Sequence, residues 1–209
     1  MPKIESEYSA ALTGGGFLFR ETDVLLPLLM SEQRADLIKD EAINNRLLMI
    51  NAEKSRQRNI SEIERRFDKM PSSFWADYIQ MPETDRMAAN LFVILSTYKV
   101  AYEFHVNVTI KKWNSINQTI EKRDILRYLG ELSDKDEFVA SWADTTKGKV
   151  ASAYLTILRK AGMLDSKGKL KQICPSNPDY YLNIGEAWFL DACLWAPYQI
   201  TKLKKGGLK

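Results

Sequence analysis

Seven cations crowd one short stretch of the chain: Lys147, Lys149, Arg159, Lys160, Lys167, Lys169 and Lys171. Ammonium groups on flexible stems neutralise phosphates well and read base edges poorly. Only Arg159 carries the planar fork suited to guanine, so little base preference is expected. The partner this chemistry implies is double-stranded DNA. If about four to six of these residues touch phosphates, log K falls with log salt at a slope of roughly −4 to −5. Single strands fit less well, because the basic stretch is not interleaved with exposed aromatics, and of nearby Tyr180 and Tyr181 at least one is better used in a core.

The elements that must present these cations are legible from the spacing. Asp144, Thr145 or Thr146 can cap a helix running to Ala161, with Val150, Tyr154, Ile157, Leu158 and Ala161 on its apolar face. Lys149, Ser152, Thr156 and Lys160 fall on the opposite face, with Arg159 beside them. Gly162 stops the helix. Residues 163–174 read as a small β-hairpin turning at Ser166-Lys167-Gly168, with Leu164, Leu170 and Ile173 inward and Lys167, Lys169 and Lys171 wet. A helix over 134–142, with Ser133 as its cap and Asp136 in its first turn, precedes the basic helix across a very short link. The pair resembles a helix-turn-helix, and the hairpin completes a winged-helix-like outline. The plainer alternative is a surface helix followed by a solvated lysine hairpin.

Charge distribution follows the same division. The formal net charge is +3, yet residues 1–144 hold 19 basic and 23 acidic side chains, a net of −4, and residues 145–209 hold 11 and 4, a net of +7. A concentrated positive field steers an anionic partner better than a diffuse one. Outside that region, Arg56 and Arg58 lack an obvious partner on a basic helix starting at Ser55 or Asn59, and are second candidates for DNA contact. In that helix Ile60, Ile63 and Phe67 face the core, Arg65 and Arg66 are expected outside, and Glu62 and Arg66 can pair one turn apart.

The rest predicts a mainly α protein. Apolar residues make up 45% and charged residues 27%, ordinary for a globular chain able to bury a core. Helices are expected over Thr22–Met30, from Glu32, from Thr84 through Val106, from Ile120 to a stop at Gly130, and from Asp179 to Trp195, ended by Pro197. Residues 1–132 form a helical body, and residues 133–209 a winged-helix-like portion packed on it, with a basic mobile tail from Lys202. Gly14-Gly15-Gly16 is a turn rather than a phosphate loop, since no Gly-Lys-Ser/Thr follows.

An enzyme is not expected. No zincin, nucleophile-elbow or Walker pattern is present. Cys174, Cys193 and the single His105 have no metal-ligand spacing, so neither metal nor cofactor is implied; both thiols read as core or near-core groups of a reducing compartment, and His105 as a packed or rim side chain rather than a catalytic base. No apolar run reaches membrane-spanning length, and no leader pattern is visible, which places the chain in the cytoplasm. A second reading is an adaptor that docks on other proteins through Trp75, Tyr78 and Trp113.

The chain also resembles the BrxA family of BREX bacteriophage-exclusion systems. The resemblance is carried by Tyr8-Ser9-Ala10, Thr13-Gly14, Phe17-Leu18 and Glu21, then by Asn45-Arg46-Leu47, Arg56-Gln57-Arg58, Ile63 and Arg66-Phe67. It continues at Tyr98-Lys99, Phe104, Thr146-Lys147-Gly148-Lys149-Val150, Leu158, Ala161-Gly162-Met163-Leu164 and Ile173-Cys174-Pro175. It implies a helical cytoplasmic protein of phage defence, similar in fold to a transcription-antitermination factor, DNA-binding and non-catalytic, working beside other BREX proteins. It favours Lys147 and Lys149 as contacts and adds weight to Arg56 and Arg58. Gly148 stands where a larger residue is expected.

Overall fold

Helix α6, Glu83–Thr97, is apolar on nearly every side, and a helix of that kind has to be surrounded. Ala88, Ala89 and all of Leu91 to Leu95 are buried, each large side chain contributing about 1.5–3 kcal/mol. The computed structural model describes residues 6–206 and is mainly helical. The main core takes side chains from Leu12 through Ile200, drawing on both sides of residue 132, and a smaller cluster joins Leu25, Leu29, Ile38, Leu48, Ile60 and Ile63.

The N-terminal part is four helices: α1 (Leu12–Gly15), α2 (Phe19–Leu29), α3 (Arg34–Asn44) and α4 (Glu53–Lys69). α2 starts three residues before the expected position. Thr22 is therefore not its cap but lies inside, with its hydroxyl donating to Leu18 O at 2.7 Å. α5 (Ser72–Tyr78) follows the break at Pro71 and places Phe74, Trp75 and Tyr78 in the core, Trp75 donating from its indole to Phe67 O at 3.0 Å.

The helix expected from Thr84 through Val106 is broken. Tyr98 leaves helical geometry (φ −114°, ψ 105°) and lays its ring under Arg66. Helical backbone resumes as α7 (Lys99–Phe104), widens to a π-turn at His105–Thr109, and ends as α8 (Ile110–Trp113). α9 (Lys122–Ser133) runs past Gly130, which does not stop it, and opens with a capping box between Glu121 and Asp124. α10 (Glu137–Ala140) is capped by Asp136, which accepts from Val139 N.

α11 (Asp144–Lys160) matches its expected span, and Val150, Tyr154, Ile157, Leu158 and Ala161 are all buried as the spacing required. Its start has no side-chain cap; Ala143 holds the cap position. Its end is a Schellman motif: Met163 N donates to Leu158 O, Gly162 N donates to Arg159 O, and Gly162 supplies the left-handed residue (φ 80°). The two-stranded hairpin expected over 163–174 is not formed as paired strands among the described residues. One antiparallel bridge joins Leu164 to Leu170, and a second joins Thr119 to Lys169, with no longer ladder among the described residues. The helix expected over Asp179–Trp195 is divided into α12 (Asp179–Asn183) and α13 (Trp188–Ala192), because Gly185 turns left-handed (φ 80°) between them. Pro197 opens rather than ends a helix, α14 (Pro197–Gly206), so the tail from Lys202 is helical to Gly206; its last three residues lie outside the described ones.

Candidate nucleic-acid interface

Lys149 and Lys160 are eleven residues apart, just over three full turns, so they stand on one face of α11 about 16 Å apart along its axis. Ser152 and Thr156 lie between them, and all four are exposed, as is Arg159 on the adjoining stripe. The hydroxyls of Ser152 and Thr156 donate back to Gly148 O and Ser152 O, so each offers only its remaining lone pairs outward. Lys167, Lys169 and Lys171 are also exposed.

The lysine turn is held firmly. Leu170 N donates to Gln118 O at 2.9 Å, Ile120 N to Gly168 O at 2.9 Å, and Lys171 N to Met163 O at 2.8 Å. The Asp165 carboxylate accepts the backbone N–H groups of Lys167 and Lys169, each at 2.9 Å. Those bonds, that of Lys169 foremost, pull the Asp165 carboxyl below its usual range and leave one fixed negative charge at the base of the turn. Among the described residues, none of Lys147, Lys149, Arg159, Lys160, Lys167, Lys169 and Lys171 is in an ion pair.

Lys122 joins this surface and was not singled out from sequence. It begins α9, three residues after the Thr119 bridge, and its Nζ stands beside Gly148: a Cβ there would lie 3.5 Å from it. The small residue at 148 leaves room for that ammonium. Lys122 and Lys149 line an open groove of about 710 Å³ with Thr13, Thr145, Ser152 and the acid Asp144. α1 packs against both α11 and α4. Arg58, exposed on α4, lays its stem over Gly14 of α1, 3.4 Å from where a Cβ would sit. The fold thus brings Arg58, Lys122 and Lys149 around one short helix, although 91 positions separate the first from the last.

Two expected contacts are placed otherwise. Lys147 is half-buried and donates to Ser133 Oγ at 2.9 Å, which ties it to the end of α9. Arg56 is a correction: it is only 7% exposed, with Nε donating to Ala42 O and Nη1 to Ile50 O, both at 2.8 Å. It holds the loop after α3 and is not available to a ligand. The neighbouring Glu41, also buried, accepts the N–H groups of Arg46, Leu47 and Leu48. Asn45, left-handed at φ 51°, accepts Ile50 N on its side chain.

Arg66, expected outside and paired with Glu62, is buried as well. It donates to Gly16 O at 2.7 Å, Phe17 O at 3.2 Å and Tyr98 Oη at 3.2 Å, while the Tyr98 hydroxyl donates to Glu62 and Asn90 donates to Phe17 O at 2.7 Å. Burial, with the Arg66 charge opposing it, pushes the Tyr98 hydroxyl up to about 12. Glu62 pairs instead with Arg65 at 3.3 Å. The aromatic docking face is also corrected: Trp75 and Tyr78 are core residues, and Trp113 is half-buried. His105 is packed as expected. Ala192 O can only accept, so Nε2 carries the proton, and Nδ1 accepts from the Tyr154 hydroxyl at 3.0 Å. Burial lowers its pKa to about 4.

Comparison with known proteins agrees on fold and family. A crystal structure of an uncharacterized protein from Magnetospirillum magneticum superposes with a TM-score of 0.74 at 20% identity, covering 90% of this chain and 98% of that one. The BREX protein BrxA of Bacillus cereus (strain H3081.97) is 22% identical over 169 residues, 81% of this chain and 84% of that protein. The model of the BrxA family matches residues 6–179, which takes in α1 to α11, the lysine turn and the buried arginines Arg56 and Arg66. With a family match over most of its length, the chain belongs to the BrxA family of BREX phage-defence components.

Proposed function

We propose that this protein is a non-catalytic, double-stranded-DNA-binding component of BREX phage defence, working in the cytoplasm. The observation that carries the reading is the run of exposed cations on α11 and the turn docked beside it. Lys149, Arg159 and Lys160 lie on one side of a rigid helix, Lys167, Lys169 and Lys171 on the turn, and Lys122 and Arg58 extend the surface across α1. The reading uses α11 and the turn much as a winged-helix module uses its recognition helix and wing. Its lysine-rich chemistry predicts phosphate contact with weak sequence preference.

The non-catalytic part rests on how the acids and the histidine are engaged. Glu41, Glu62 and Asp85 each accept hydrogen bonds from the protein itself, and both nitrogens of His105 are bonded. The test is fluorescence anisotropy with two duplexes of unrelated sequence. Binding to both within about tenfold supports the proposal. No binding to either at about 50 mM salt contradicts it.

A second reading has its own observation. Ile43 at the end of α3, and Leu47 and Met49 on the loop braced by Glu41 and Arg56, are exposed, Met49 by 71% and in left-handed backbone (φ 55°). A stiff apolar projection of this kind suits contact with another BREX protein.

A further inference from the structure

The loop joining α8 to α9 carries a side chain that the fold leaves bare. Ile116 is fully exposed at its apex, with Asn114, Ser115 and Asn117 exposed around it. A bare aliphatic side chain is unremarkable on a floppy loop, but this loop is cross-braced. Asn114 N donates to Ile110 O, the single Ser115 Oγ–H lies within donating distance of both Lys112 O and Asn117 O, Gln118 Nε2 donates to Trp113 O, and Thr119 N donates to Asn117 Oδ1. The backbone is therefore committed to displaying Ile116.

The loop is also joined to the lysine turn. Gln118 O accepts Leu170 N, and Thr119 bridges Lys169. Three residues of chain set Ile116 within about 10 Å of that bridge. An apolar apex flanked by amide donors, beside unpaired lysines, has the composition of a minor-groove wedge. Among the described residues, the side-chain N–H groups of Asn114 and Asn117 make no hydrogen bond within the protein. Minor-groove edges of A·T pairs present only acceptors, and inserted aliphatic side chains unstack and kink the duplex.

We infer that the 114–118 loop enters the minor groove of bound DNA and that Ile116 wedges between base pairs, bending the duplex away from the protein. The inference rests on the DNA-binding reading above. Its partner is duplex DNA, with the lysines of the turn on the flanking phosphates.

The experiment measures end-to-end energy transfer on a doubly labelled duplex of about 25 base pairs, alongside its affinity. Wild-type protein is compared with Ile116→Ala, Ile116→Met and Lys167→Ala/Lys169→Ala. The expected result is a rise in transfer with wild type, retained by Ile116→Met and lost with Ile116→Ala, whose affinity falls about 3- to 30-fold with an unchanged salt slope. The lysine variant is expected to lower both affinity and slope. Wild-type binding without bending, or bending that survives Ile116→Ala, overturns the wedge and leaves the DNA-binding reading standing. If Ile116→Ala changes self-association in sedimentation velocity but not DNA geometry, the loop is a protein contact and the wedge is overturned. Absence of duplex binding overturns both.

Discussion

The Arg56 guanidinium bridges the carbonyl oxygens of Ala42 and Ile50, tying the end of α3 to the far side of the loop that follows it. A cation in the first turn of a basic helix is therefore a brace, and the loop it braces holds Leu47 and Met49 in the open. Arg56→Ala leaves two carbonyls without their donors. It is expected to destabilise the protein by about 2–4 kcal/mol in urea denaturation and to leave the salt slope of DNA binding unchanged. A reduced slope without loss of stability would show Arg56 to be a contact.

Gly15 gives the opposite sign to ordinary helix propensity. Alanine inside a helix usually gains up to about 1 kcal/mol over glycine. Here a Cβ would lie 2.7 Å from Leu18 Cδ1 and 3.2 Å from Glu62 Cβ, next to the bonds of Arg66. Gly15→Ala is expected to lower stability by about 1–3 kcal/mol, measured by thermal or chemical denaturation.

Acid should unfold the protein partly through His105. Its folded pKa is depressed to about 4 by burial, against 6.5 for the free side chain. The unfolded state takes up a proton as pH falls through 6.5, while the folded state stays neutral until about 4. The contribution is fully present above pH 6.5 and is lost between those values, at about 1.4 kcal/mol per pH unit and about 3 kcal/mol in all. Urea midpoints for wild type and His105→Gln over that range test it: the difference between the two curves should narrow as pH falls.

Much of α11 was legible because its apolar residues recur at helical spacing and Gly162 can take the backbone that ends it. The buried arginines were not. Arg56 and Arg66 lie among exposed charges on α4, and their partners are backbone carbonyls and a tyrosine hydroxyl from other segments, up to 50 positions away. A helix face of alternating arginine and glutamate has the same pattern whether it is wet or folded around loops. The break at Gly185 carried a signal in the glycine itself, whereas the break at Tyr98 falls at a residue whose tertiary contact with Arg66 has no local sequence signature. Lys122 was missed because its companions, Gly148 and Lys149, are distant in the chain and meet only when α9 packs on α11.

Arg58 and Lys122 should therefore behave as one surface with Lys149 if α1 lies within the contacted area. Changing Arg58 and Lys122 together to Ala is expected to make the salt dependence shallower by roughly 1.5 to 2 in slope, with no change in the urea midpoint. Loss of stability without a change in slope would assign them to the packing of α1.

The most direct measurement is duplex affinity across roughly 50–200 mM salt for wild type and for Lys149→Ala/Lys160→Ala/Lys169→Ala. The proposed surface predicts a wild-type slope of roughly −4 to −5, made shallower by about 2.5 to 3 in the triple variant. Two parallel lines of equal affinity would contradict it.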